Sequence, residues 1–159
     1  MLVSGRASAQ AVLEEINREQ AFLKSDRLNT AFSWQAKSLA LRALGSYSEA
    51  ENALKHSLEI HEKDMYLENA SYDWYTIASI RSVAGNTAGA ISALQSSIAI
   101  DRRIENSWGL AASYRAMGDV YRKEGNSMQA QDAYARALRI YEAMGNTAEA
   151  AETKRRSAL

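Results

Sequence analysis

Gly45, Gly85 and Gly125 stand forty residues apart, and other residues share that spacing. So do Ala50, Ala90 and Ala130; Leu54, Leu94 and Tyr134; Leu58, Ile98 and Leu138; and Ile60, Ile100 and Ile140. Upstream of each glycine, Trp34, Trp74 and Tyr114 fall on the same grid. An internal period of this length constrains the fold more than any other feature of the chain. A unit so short cannot bury its apolar face alone, so copies must stack on one another.

The glycines explain how each unit is built. A helix commonly ends in a left-handed residue, which glycine adopts without steric cost. The residues that follow, Ser46, Asn86, Asn126 and Asn146, are good N-caps. Three positions later stand Glu49, Gly89, Gln129 and Glu149, so three of the four junctions carry a capping-box pattern. The phrase Gly-Asn-[Ser/Thr]-x-x-Ala, written at Gly125 and again at Gly145, therefore brackets one helix. Each unit is two antiparallel helices. The pattern predicts a single domain over 1–159, with an N-terminal helix at 8–24 and a capping or half-repeat helix at 147–157. Between them come repeats at 28–64, 67–104 and 107–144, with helix pairs 28–44/47–63, 67–84/87–104 and 107–124/127–144. The junctions near Met65 and Glu105 lack glycine and are less regular than the one at Gly145.

Composition agrees with an all-α fold. There is no proline, and alanine, leucine, glutamate, arginine and serine dominate. Formal net charge is zero, which argues against nucleic-acid binding. The charge is unevenly spread: residues 1–80 hold 8 basic and 11 acidic side chains, and residues 81–159 hold 11 and 8. Without cysteine there is no disulfide, thiolate nucleophile or cysteine zinc site. No apolar run is long enough to span a membrane. The first six residues are too short and polar for a signal peptide. The setting expected is cytoplasmic, with a periplasmic or extracellular one after removal of a signal peptide left open.

These residues resemble tetratricopeptide repeats. The third copy matches best, with Tyr114, Gly118, Tyr121, Gly125, Ala130, Tyr134, Ala137 and Leu138. The second has Trp74, Ala78, Gly85, Ala90, Leu94, Ser97 and Ile98, and the first Trp34, Ser38, Gly45, Ala50, Leu54, Ser57 and Leu58. The repeat is longer than the usual ~34 residues. Glu62, Arg102 and Glu142 stand where the usual proline ends the second helix. Both departures are similar to the long repeats of kinesin light chains and some bacterial regulatory proteins. The resemblance implies a right-handed superhelical α-solenoid, with the first helix of each pair lining a concave groove.

Carried onto the grid, that groove takes Phe32, Gln35, Ala36, Leu39 and Arg42 from the first copy. It takes Tyr72, Tyr75, Thr76, Ser79 and Ser82 from the second, and Ala112, Arg115, Asp119, Arg122 and Lys123 from the third. Glu152, Arg155 and Arg156 follow on the last helix. The expectation is a groove aromatic at one end and basic at the other, suited to a peptide with apolar and acidic groups. Gln35, Leu39, Thr76, Ala112 and Ala116 occupy the places where relatives clamp a partner's C-terminal carboxylate, and none is a cation. A clamp for chaperone tails is not expected.

His56 and His61 are the only histidines. Five residues apart, they lie ~140° apart around a helix, and a solvated pair is expected rather than a metal site. Trp108 departs from its column partner Glu68; it either extends the groove or fills the wedge before the third helix pair, and the wedge is the expectation. No phosphate loop or nucleophile elbow is present. The function expected is a non-catalytic scaffold or adaptor for a protein or peptide partner, without cofactor or metal. The alternative is a sensor module that couples peptide or small-ligand binding to an attached effector domain. RNA binding is disfavoured, and self-association is expected if the last helix leaves an apolar side uncovered.

Overall fold

The computed structural model describes residues 2–20 and 26–158. They form eight helices and no strand: α1 (Leu2–Gln20), α2 (Arg27–Ala43), α3 (Tyr47–Lys63), α4 (Leu67–Val83), α5 (Thr87–Arg103), α6 (Ser107–Lys123), α7 (Ser127–Ala143) and α8 (Thr147–Ser157). The first helix begins at Leu2, six residues before the expected start, and positions 21–24 of that expectation lie outside the described residues. From α2 to α7 every helix has 17 residues.

One hydrogen-bonding device sets this regularity. The Ser46 N–H donates to the Leu41 carbonyl at 3.0 Å, and the Gly45 N–H to the Arg42 carbonyl at 3.0 Å. That is a Schellman closure. It recurs as Tyr66 to His61, Asn86 to Arg81, Asn106 to Asp101, Asn126 to Tyr121 and Asn146 to Tyr141, at 2.8–2.9 Å. The residue that closes one helix is the N-cap of the next, so only three residues separate them.

Glycine supplies the left-handed residue at four junctions, with φ between 70° and 83°. At the two junctions without glycine, Met65 (φ 62°) and Glu105 (φ 56°) adopt the same conformation. The turn is imposed by the packing of the helix pair even where the side chain disfavours it.

The shared residue also alters the capping. Its backbone N–H is already bonded to the preceding helix and is not left for a capping-box side chain. Asn86, Asn106, Asn126 and Asn146 do cap, each accepting from the N–H three residues on at 2.9–3.4 Å. Ser46 makes no side-chain cap, contrary to the pattern read there.

Consecutive helices pack antiparallel, and the pairs stack into a right-handed superhelical solenoid. Ala50 and Ala90 are wholly buried and Ala130 nearly so, which lets paired helices approach closely. Gly118 goes further: a Cβ there would lie 2.7 Å from the Tyr134 ring. The aromatic column of the first helices packs towards the second helices. Trp34 stacks on His56 at 4.5 Å, the Trp74 indole N–H donates to Glu62 at 3.3 Å, and Tyr114 lies between Arg102 and Arg136.

Candidate functional site

Helices α2, α4 and α6 present successive stripes to one side, and three hollows follow one another along it. The first, of about 300 Å³, lies between α2 and α4 and brings together Phe32, Gln35, Leu39, Tyr72, Tyr75 and Ser79. The second, of about 310 Å³, lies between α4, α5 and α6 and joins Tyr72 and Tyr75 to Trp108 and Arg115. The third, of about 200 Å³, carries Tyr75 and Ser79 on to Asp119. Tyr75 borders all three. Phe32, Leu39 and Tyr72 are 41%, 61% and 59% exposed, so this side offers apolar surface that the fold does not use.

The polar groups are more committed than their positions suggest. The Gln35 amide donates to Asp73 Oδ1 at 2.7 Å, and Arg42 reaches the Ser79 hydroxyl at 3.4 Å. Arg115 is paired with Glu149 and lies over the Tyr141 ring at 5.4 Å. Asp119 receives Arg156 at 2.7 Å and the Tyr134 hydroxyl at 2.7 Å. Burial first, and that carboxylate second, push the Tyr134 hydroxyl up to about 12. Arg155 pairs with Glu152 and is exposed, and Arg122 lies 3.9 Å from Asp119. Neither lines any of these three hollows. The expected free basic stripe is thus largely an ion-pair network: the forty-residue grid placed the columns but not the acids facing them across helices.

His61 corrects the reading of the histidines. It is wholly buried, with Nδ1 2.7 Å from Asp73 Oδ2 and the Ser57 hydroxyl at 3.4 Å. Burial raises the Asp73 carboxyl, against the lowering by Gln35 and His61. His56 does lie at the surface, on Trp34. Trp108 is also corrected. It is 48% exposed, meets Tyr141 edge-on at 5.7 Å, and walls the second hollow instead of filling a wedge.

The sequence reading missed the floor of the second hollow. Ser71, Ser97, Ser113 and Asp101 are all buried there. Ser97 is hydrogen-bonded to Ser71 at 2.9 Å and to Ser113 at 3.0 Å, and Asp101 accepts from the Asn106 amide at 2.9 Å. The signal was on the grid. Columns 57/97, 61/101 and 73/113 put polar residues at positions that the neighbouring apolar columns make interior. Among the described residues no group of three or more metal-ligating side chains comes together, and no helix is long and apolar enough to cross a membrane.

Comparison with known proteins gives a consistent picture. The tetratricopeptide-repeat family matches residues 70–143, and a second description of the same repeat matches 33–64. No curated protein matches the chain by sequence. Among solved structures, a Podosopora anserina protein described as a kinesin light chain with nearly identical TPR-like repeats superposes with a TM-score of 0.68 at 17% identity, covering 99% of this chain and 90% of that one. A single-substitution variant of that protein gives 0.69 at 17%, covering 99% and 89%. BtubC (BKLC) from P. vanneervenii gives 0.64 at 15%, covering 99% and 91%. With the repeat columns, the junction geometry and these matches together, the chain belongs to the tetratricopeptide-repeat family, in its long-repeat subclass.

Proposed function

We propose that the chain is a non-catalytic interaction scaffold that holds an extended or helical segment of a protein partner along the side formed by α2, α4 and α6. The observation that carries this reading is the position of Tyr75 on all three successive hollows, with exposed Phe32, Leu39 and Tyr72 beside it. A run of hollows flanked by aromatic anchors matches the spaced side chains of a peptide better than it matches one compact ligand. The repeats of its family and the kinesin-light-chain-type neighbours support a scaffold role. The partner's apolar residues carry most of the contact. A mainly acidic partner is not required, because Arg115, Arg155 and Arg156 are already paired with carboxylates.

The test is affinity capture followed by titration of the captured partner segment. Tyr75→Ala is expected to weaken binding ~30-fold, mainly through faster dissociation, as loss of a central aromatic anchor does. Arg155→Ala, away from the hollows, is expected to change it less than ~3-fold. Unchanged binding by Tyr75→Ala and Leu39→Ala would exclude this side as the site.

A further inference from the structure

The repeat makes the second hollow comparable, position by position, with the interface before it. At the α3/α4 interface a buried carboxylate, Asp73, faces an imidazole, His61, at 2.7 Å. One repeat later the same two columns hold Ser113 and Asp101. The carboxylate has changed sides, and the column that faced it now carries a hydroxyl, which is hydrogen-bonded to Ser97. Asp101 is 1% exposed, and its partners are neutral: the Asn106 amide at 2.9 Å and the Ser97 hydroxyl at 3.5 Å. A buried carboxylate without a cation is costly. Gly109 makes room for the carboxylate itself, since a Cβ at that position would lie 2.5 Å from Asp101 Oδ2.

The rest of the hollow has the same bias. Glu68 adds a second carboxylate, exposed on the first turn of α4. The cation in the wall, Arg115, is engaged by Glu149 and the Tyr141 ring. The remaining walls are the aromatic side chains of Tyr72, Tyr75 and Trp108, whose π-faces attract cations. Burial, together with the nearby Glu68 charge, raises the Asp101 carboxyl, as expected for a carboxylate without a counter-charge.

We propose that the hollow between α4, α5 and α6 is a subsite for one cationic side chain, a lysine or arginine of the bound segment. Its alkyl stem lies against Tyr72, Tyr75 and Trp108, and its charge is directed to Asp101 and Glu68. The proposal rests on the reading of this side as a peptide-binding surface. It gives that surface a charge requirement opposite to the one its arginines suggest.

The experiment titrates the whole chain with three acetylated, amidated pentapeptides of leucine flanking a central lysine, norleucine or glutamate. Binding is read from the Trp108 indole N–H resonance, assigned with Trp108→Phe. The lysine peptide is expected to bind about tenfold more tightly than the norleucine peptide, with the glutamate peptide weakest. Glu68→Gln is expected to remove part of that preference and Asp101→Asn most of it. Because Asp101 is buried, Glu68→Gln, at an exposed position, is the deciding variant should Asp101→Asn unfold. Norleucine binding as tightly as lysine, in a Tyr75-dependent manner, would overturn the cation subsite and leave the groove. Lysine binding that perturbs Trp108 but ignores Tyr75→Ala and Leu39→Ala would keep the subsite and overturn the extended groove. No binding by any of the three peptides would overturn both.

Discussion

Met65 and Glu105 hold left-handed backbone that L-residues adopt at a cost of ~1–2 kcal/mol. Glycine avoids that cost but loses ~0.5–1 kcal/mol of chain entropy on folding. Glu105→Gly is therefore expected to stabilise the chain by ~0.5–1 kcal/mol, read as a higher denaturant midpoint, and Gly125→Ala should do the reverse. A sequence reader sees the turns at Gly45, Gly85, Gly125 and Gly145 at once and places the two junctions that lack glycine only from the period, because the turn there comes from the helices rather than from the turn residue. A second residue-scale effect is the fork between Arg81 and Glu51, at 3.1 and 2.7 Å, with Arg81 also donating to the Gly89 carbonyl at 3.1 Å. The hydrogen bonds from Arg81 hold the Glu51 carboxyl down at about 2. A carboxylate lowered on folding stabilises the fold above its unfolded value and loses that contribution as pH falls towards its folded value. Stability is thus expected to fall between the ordinary carboxylate range and about pH 2. Glu51→Gln should flatten that part of the pH profile by ~1–2 kcal/mol, after allowance for solvent screening. Denaturant midpoints measured across the acid range check this, and an unchanged slope would mean that the fork contributes nothing.

At the level of helices, the grid compensates volume for volume. Ser38, Ala78 and Gly118 occupy one column of the first helices, while Leu54, Leu94 and Tyr134 occupy one column of the second. The smallest residue occurs in the repeat with the largest partner. Gly118→Ala would push a Cβ to 2.7 Å from the Tyr134 ring, which is buried and hydrogen-bonded to Asp119 and so has little room to move. The expected loss is ~1–3 kcal/mol, as for other overpacked cores. The double variant Gly118→Ala with Tyr134→Leu should recover much of it, because it recreates the second repeat. Failure of the double variant to exceed the single one in thermal midpoint would show that the columns do not face each other as argued. These apolar columns were legible because burial repeats with the period. The buried polar columns were missed although the period places them inside, since a serine or aspartate in an isolated helix reads as solvent-facing. Only stacking the repeats shows that His61, Asp73 and Asp101 are interior.

The whole molecule is a one-dimensional stack in which contacts run mainly between consecutive helices, with minor ones from α4 to α6 and from α6 to α8. That is why the apolar half of the candidate groove could be read from sequence and the charged half could not. Phe32, Leu39, Tyr72 and Tyr75 need only the period to be placed on one side. Arg115 and Arg156 find their acids, Glu149 and Asp119, on other helices, 34 and 37 residues away. The same architecture makes a prediction about unfolding. Leu13 and Ile16 of α1 are buried, and α1 packs on α2. In a stack with only nearest-neighbour coupling, stability is a sum of unit and interface terms, so damage at one end need not reach the other. Leu13→Ala should cost ~2–3 kcal/mol locally, and the loss should be uneven along the chain. Native-state hydrogen exchange is expected to show amides of α2 and α3 losing protection, while those of α6 and α7 exchange nearly as in the unaltered chain. The Gly118→Ala variant provides the mirror image, with protection lost in α6 and α7 and kept in α2 and α3. Equal loss in all helices for both variants would mean that the solenoid unfolds as one cooperative unit, and the α4–α6 and α6–α8 contacts would then have to be stronger than their extent implies.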